Sequence, residues 1–245
     1  DARTEITTQL LSDKGYSVTM TNEEGGDEEQ SFYQRDFEKK FFSPNTNQIF
    51  CKTILDNALR DPITNEIGKT IVFCVSQNHA AKIAQILNEF ADQKFPGKYN
   101  SDFALQVTSL VQDAQQFTIN FTNNNLKGTG NFNPMYKTSK TRVCVTVGMM
   151  TSGYDCPDLL NVCLLRPIFS PTDFIQIKGR GTRKHNFLKE LLDKELAKNI
   201  LQPEKKKFKL FDFFANCEYF EEKFNYDEIL MLPVKPSMGN GLGGV

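Results

Sequence analysis

Thr70-Ile71-Val72-Phe73-Cys74-Val75 is an unbroken apolar, largely β-branched run. That pattern belongs to a strand buried on both faces. Ser76 or Asn78 is placed to cap the helix that follows, from His79 to Asp92, whose Ala80, Ile83, Ala84, Ile86, Leu87 and Phe90 fall on one stripe. Working outward, residues 46–60 read as a helix that ends before Asp61-Pro62. Downstream come a short strand over 106–110, a helix over 112–122 and a polar Asn/Gly loop over 123–134. Two more buried strands follow, 142–147 and 162–165, then a helix opening at Phe174. An amphipathic helix over 187–199, carrying Leu188, Leu191, Leu192 and Leu196, and a last strand over 208–214 complete the pattern. Strands alternating with helices imply right-handed crossovers and a mostly parallel sheet covered on both faces, with ligands at the carboxyl ends of the strands.

Composition narrows the class. Hydrophobic residues at 39% and charged residues at 24% fit a globular α/β domain. A formal net charge of −1 excludes a uniformly basic nucleic-acid binder. The charge is uneven, however. Residues 1–40 hold ten acids and five bases, whereas 178–209 hold eleven bases and four acids. Residues 1–45 therefore read as an acidic linker, 46–215 as the folded domain, and 216–245 as an extension and a glycine-bearing tail. None of the six cysteines forms a Cys-x-x-Cys pair and there are only two histidines, so no metal site is expected. Cys74, Cys144 and Cys163 sit in apolar runs as reduced thiols, which points to a cytoplasmic location. There is no secretory signal and no apolar run approaching 18 residues, so no membrane association is expected. The chain lacks an initiator Met and starts mid-pattern, as a fragment of a longer polypeptide would.

Three stretches carry chemistry. Gly68-Lys69-Thr70 imitates the end of a P-loop, but Ile63 stands where the first glycine belongs, and the triplet precedes a strand instead of opening a helix. It reads as a loop leading into a strand. The second stretch runs from Val143 to Pro157. A buried strand reaches Thr146, whose hydroxyl suits a nucleic-acid phosphate. A turn then passes Gly153, Asp155 and Pro157. Asp155, expected just beyond that strand's carboxyl end, suits ribose hydroxyls, or serves only as a turn or cap residue. The third is Gln176-Ile-Lys-Gly-Arg-Gly-Thr-Arg183. Arg180 and Arg183 share a helical face and match the oxygens of a polyphosphate, or lie solvated on a surface loop. Gly179 and Gly181 permit close approach beside them.

In this order, the strand at 70–75, the Thr…Gly-x-Asp-x-Pro turn and Gln-x-x-Gly-Arg-x-x-Arg resemble motifs IV, V and VI of superfamily 2 helicases and translocases. The match covers residues 66–215, the second RecA-like domain of such motors. Thr70 to His79, Leu165-Arg-Pro-Ile-Phe-Ser170 and Phe174 to Arg183 further resemble the restriction subunits of type I restriction–modification enzymes. Gln34 to Glu38 resembles their interdomain segment, and Phe208 to Phe214 their closing strand.

The resemblance implies a three-layer, P-loop NTPase-like fold and half of an ATP-dependent DNA translocase. The first RecA-like domain of the same polypeptide would supply the P-loop and the acids that hold Mg²⁺. Arg180 and Arg183 would reach the ATP γ-phosphate, and Gln176 would couple nucleotide to DNA. Asp155, backed by Gly153, would contact the ribose, with Gly179 part of the same motif. Thr146, Ser76 and Thr108 would contact DNA phosphates. Phe174 would pack the helix, and Lys178 would contact phosphate or stay solvated. Double-stranded DNA and the methylation and specificity subunits are the implied partners. The nuclease lies elsewhere, and this chain alone is expected to be inactive. Two alternatives stay open: a motor domain of another superfamily 2 helicase, and a noncatalytic α/β nucleotide- or partner-binding module.

Overall fold

The computed structural model describes residues 42–108, 113–128, 135–148 and 155–223. The expected acidic linker through residue 41, the last strand positions at 109–110, loop residues 129–134, Gly153 and the tail from residue 224 lie outside them. In chain order the elements are α1 (Pro44–Asn57), β1 (Thr70–Cys74), α2 (Gln77–Lys94), β2 (Ala104–Gln106), α3 (Ala114–Thr122), β3 (Val143–Thr146), β4 (Asn161–Leu165), α4 (Pro171–Gly181), α5 (Lys194–Lys198), β5 (Lys209–Asp212) and α6 (Asn216–Glu218).

The strands form one parallel sheet in the order β2-β3-β1-β4-β5. Their amino ends are aligned: Ala104 pairs with Val143, Val143 with Thr70, Thr70 with Asn161, and Asn161 with Lys209. Alternate residues build two separate cores, as strand pleating requires. Val72, Cys74, Val145, Cys163 and Leu165 pack against α1 and α2. Ile71, Phe73, Cys144, Val162 and Leu164 pack on the other face, against α3, α4 and Phe220. This is the three-layer α/β architecture expected from the alternating pattern.

Local chemistry sets the boundaries. Of the two candidate caps for α2, Ser76 acts: its Oγ accepts from the His79 amide at 3.1 Å. Helix α4 starts three residues before the expected Phe174, because Ser170 caps it and Pro171 fits its first turn. Strand β2 begins two residues early, at Ala104. The expected helix over 187–199 is absent. A 3₁₀ turn at Phe187–Glu190 gives way to an extended stretch, where Tyr136 bridges Leu191 and the Leu192 amide donates to the Met135 carbonyl at 2.6 Å. The Asp193 carboxylate then caps the separate α5. Leu192 is 68% exposed, so the leucine stripe does not form one buried face.

His79 is buried between α1 and α2. Its Nε2 faces Asn47 Oδ1 at 3.2 Å, its Nδ1 accepts from the Val75 amide at 3.5 Å, and the Phe42 ring lies 4.0 Å away. Both nitrogens are thus committed to the neutral tautomer. Burial, assisted by Lys82, pushes its pKa down to about 3. Because the folded-state value is depressed, stability is full above the ordinary histidine range and drains as pH falls from about 6.5 toward 3. The loss approaches about 4–5 kcal/mol at roughly 1.4 kcal/mol per pKa unit. Urea titrations at pH 7 and pH 4.5 should show a large drop for the wild type, and a smaller one for His79→Gln.

Candidate functional site

Helix α4 buries Phe174 and Ile177 against the sheet, and the Phe174 ring stacks on Phe220 with centroids 4.9 Å apart. That face fixes the rest: Gln176 points outward and Arg180 is half-buried near the helix end. Gly181 is required sterically, since a Cβ there would collide with the Phe208 ring that leads into β5. At Gly179 a Cβ would meet nothing, so close approach to a neighbouring chain segment does not explain that glycine. Lys178 is ion-paired with Glu221 at the surface and lies 5.8 Å from the centre of the Phe174 ring, with its side chain still 41% exposed.

Just past the helix, Arg183 Nε lies 3.3 Å from Asp155 Oδ1. Two residues singled out in separate motifs therefore meet, and both remain open, at 62% and 61% exposure. The pair stands at the amino edge of the sheet. Asp155 adjoins Cys156, whose Sγ is 3.7 Å from the amine of Lys69, the residue directly before β1. This corrects the expectation that Asp155 sits at a carboxyl end. A crossover between parallel strands must return the chain to the edge where the next strand starts, and Asp155 comes late in the β3–β4 crossover. Arg183 follows α4, which runs back from the carboxyl end of β4, so it is carried to the same edge.

The three hydroxyl residues lie at the opposite edge. Thr108, Thr146 and Ser76 stand at or just beyond the carboxyl ends of β2, β3 and β1, which are adjacent strands. Thr108 and Thr146 are fully buried, and neither Oγ1 makes a hydrogen bond among the described residues. A buried hydroxyl without a partner costs about 1–3 kcal/mol. Ser76 is partly exposed, and its Oγ is engaged in capping α2. The Gln106 amide group donates to the Gln77 carbonyl at 3.0 Å and lies 3.1 Å from its side-chain oxygen, tying the end of β2 to the start of α2.

Beneath Asp155 is a buried network that motif spacing does not show. The Lys69 amine pairs with Asp158 Oδ2 at 2.9 Å and donates to the Thr122 carbonyl at 3.2 Å. Asp158 also accepts from Asn124 Nδ2 at 3.2 Å and from Cys156 Sγ at 3.1 Å. Burial alone would pull Lys69 down and push Asp158 up. Their mutual attraction reverses both, so the amine lies above its usual range and the carboxyl below. Gly68 permits this packing, because a Cβ would fall on Leu160 and the Leu59 carbonyl. The P-loop imitation is thus a structural corner. Nearby, Lys205 donates to the Pro157 carbonyl at 3.1 Å, and burial pulls its pKa down to about 8 against the opposing effect of Cys156 and Asp158.

No protein-family model matches the chain. The endonuclease subunit of the type I restriction enzyme EcoKI, from Escherichia coli strain K12, is 29% identical over 176 residues, 71% of this chain and 13% of that protein. The chain is therefore similar to endonuclease subunits of type I restriction enzymes. The EcoAI subunit of Escherichia coli is 28% identical over 156 residues, 64% of this chain and 17% of that protein. The chain thus covers under a fifth of the length of these restriction subunits. A solved fragment described as an HsdR subunit of a type I restriction enzyme from Vibrio vulnificus YJ016 aligns over 80% of this chain and 30% of that one, at 23% identity and a TM-score of 0.46. Among the described residues, no helix is long and apolar enough to cross a membrane.

Proposed function

We propose that this chain is half of an ATP-dependent DNA translocase motor within the restriction subunit of a type I restriction–modification system. The contact between Arg183 and Asp155 carries the proposal, because it joins the candidate phosphate-binding helix to the candidate ribose acceptor at one exposed place. Guanidinium donors beside a carboxylate acceptor suit the two ends of a nucleotide, phosphate and sugar. ATP would be presented by the first RecA-like domain of the same polypeptide, which would also bring Mg²⁺. Arg180 and Arg183 would then neutralise charge on its phosphates. Asp155 would accept from its ribose, and Gly153 would belong to the same nucleotide-binding motif. Gln176, exposed on the outer face of α4, would couple this site to DNA.

At the other edge, Ser76 would meet the backbone of double-stranded DNA directly. Thr108 and Thr146 would do so once the residues covering them move aside. Contacts of this kind position DNA without reading its sequence. Sequence recognition and methylation would fall to separate subunits of a cytoplasmic complex.

Asp155→Asn in the full-length protein tests this reading. A hydrogen bond to a charged group is worth about 1.5–3 kcal/mol, so KM for ATP should rise about 10- to 100-fold. Turnover at saturating ATP should change far less. An unaltered KM would remove Asp155 from the nucleotide site.

A further inference from the structure

We infer that Lys205 is a positioning residue for this nucleotide site, fastening the turn that carries Asp155 to the segment that carries Arg183. The inference rests on the nucleotide reading above. Lys205 touches both limbs of the site. Its backbone amide donates to the His185 carbonyl at 2.8 Å, two residues beyond Arg183. Its side-chain amine donates to the Pro157 carbonyl at 3.1 Å, two residues beyond Asp155. The segment around it is held in place: Asn186 bridges Glu204, and the Phe187 amide donates to the Pro203 carbonyl at 2.9 Å.

The ion pair itself is a weak fastener. Both partners are mostly exposed, and such pairs contribute little in water. Arg183 and Asp155 also belong to different crossovers, so no continuous helix or strand sets their separation. Lys205 is hydrogen-bonded to each crossover at once. In sequence Lys205-Lys206-Lys207 reads as a solvated charge run. In the structure Lys206 and Lys207 are exposed, whereas Lys205 is half-buried and aimed into the Asp155 turn. Displacements near 1 Å at a reacting centre cost about 100-fold in rate. Loosening this fastener should therefore lower turnover as well as nucleotide binding.

The test uses the full-length protein with its DNA-stimulated ATPase as readout. Lys205→Met keeps the aliphatic stem and removes the donor. It should lower kcat about 10- to 100-fold, because Arg183 loses its fixed partner, and it should also raise KM for ATP, because the turn it loosens carries Asp155. Lys205→Arg, which again reaches Pro157, should restore most of kcat. Wild-type kcat in Lys205→Met would overturn the proposal, as would a loss that follows reduced thermal stability and is not rescued by arginine. Arg180→Ala run alongside separates the two levels. If it abolishes turnover and Lys205→Met does not lower it, only the role of Lys205 fails. If both leave turnover intact, the nucleotide reading fails.

Discussion

Alanine at position 180 is expected to abolish ATP hydrolysis by the full-length protein, with a loss of about 10³- to 10⁵-fold, the range associated with an arginine that stabilises transition-state charge. Nucleotide and DNA affinity should stay within a few-fold of wild type. The basis is geometric. Helix α4 is clamped by Phe174 and Ile177 on the sheet and by Gly181 beneath Phe208. Arg180 therefore arrives at the amino edge on a fixed support, one helical turn before the Arg183–Asp155 contact. A group held this way acts on charge that develops during reaction more than on ground-state binding. ATPase and equilibrium nucleotide binding, measured on the same preparation, distinguish the two effects. Undiminished turnover would sink the assignment.

Lys69→Met is expected to destabilise the domain by about 3–5 kcal/mol, the usual cost of breaking a buried ion pair. Lys69 is fully buried, and its loss leaves the Asp158 carboxylate beneath the site with the amide of Asn124 and the thiol of Cys156 as its hydrogen-bond partners among the described residues. Removing the second charge as well should recover much of that loss, because a matched uncharged pair can be nearly neutral. Urea denaturation of Lys69→Met and of Lys69→Met/Asp158→Asn checks both statements. A double variant no more stable than the single would show that Asp158 is not the source of the penalty.

The sheet was legible because its strands are short apolar runs buried on both faces, a pattern that survives any detail of packing. Arg183 lies beyond the end of α4 at Gly181, so the helical face it was expected to share with Arg180 does not form. Ser76 was legible for a local reason, as one of two candidate caps. The placement of Asp155 was not. Which edge a loop residue reaches depends on how far the crossover has travelled, and a spacing count does not encode that. The leucine stripe over 187–199 misled because Asp193 offers a fresh cap in its middle and Tyr136 supplies a distant bridging partner. Lys69 and Lys205 were hidden for the opposite reason. Each sits in a stretch with an obvious alternative reading, a P-loop imitation and a lysine run. Only the tertiary neighbours Asp158 and Pro157 separate them from it.

The two candidate clusters stand at opposite ends of strands only four or five residues long. At about 3.3 Å per residue, that is a separation near 15 Å. A hydrogen-bonded strand does not stretch, so the sheet is a ruler of fixed length between whatever is bound at one end and whatever is bound at the other. On the proposed function, a step along DNA then requires the whole sheet to tilt or slide against a second body. The length of each step would be set outside this domain, by the hinge on which the ruler swings.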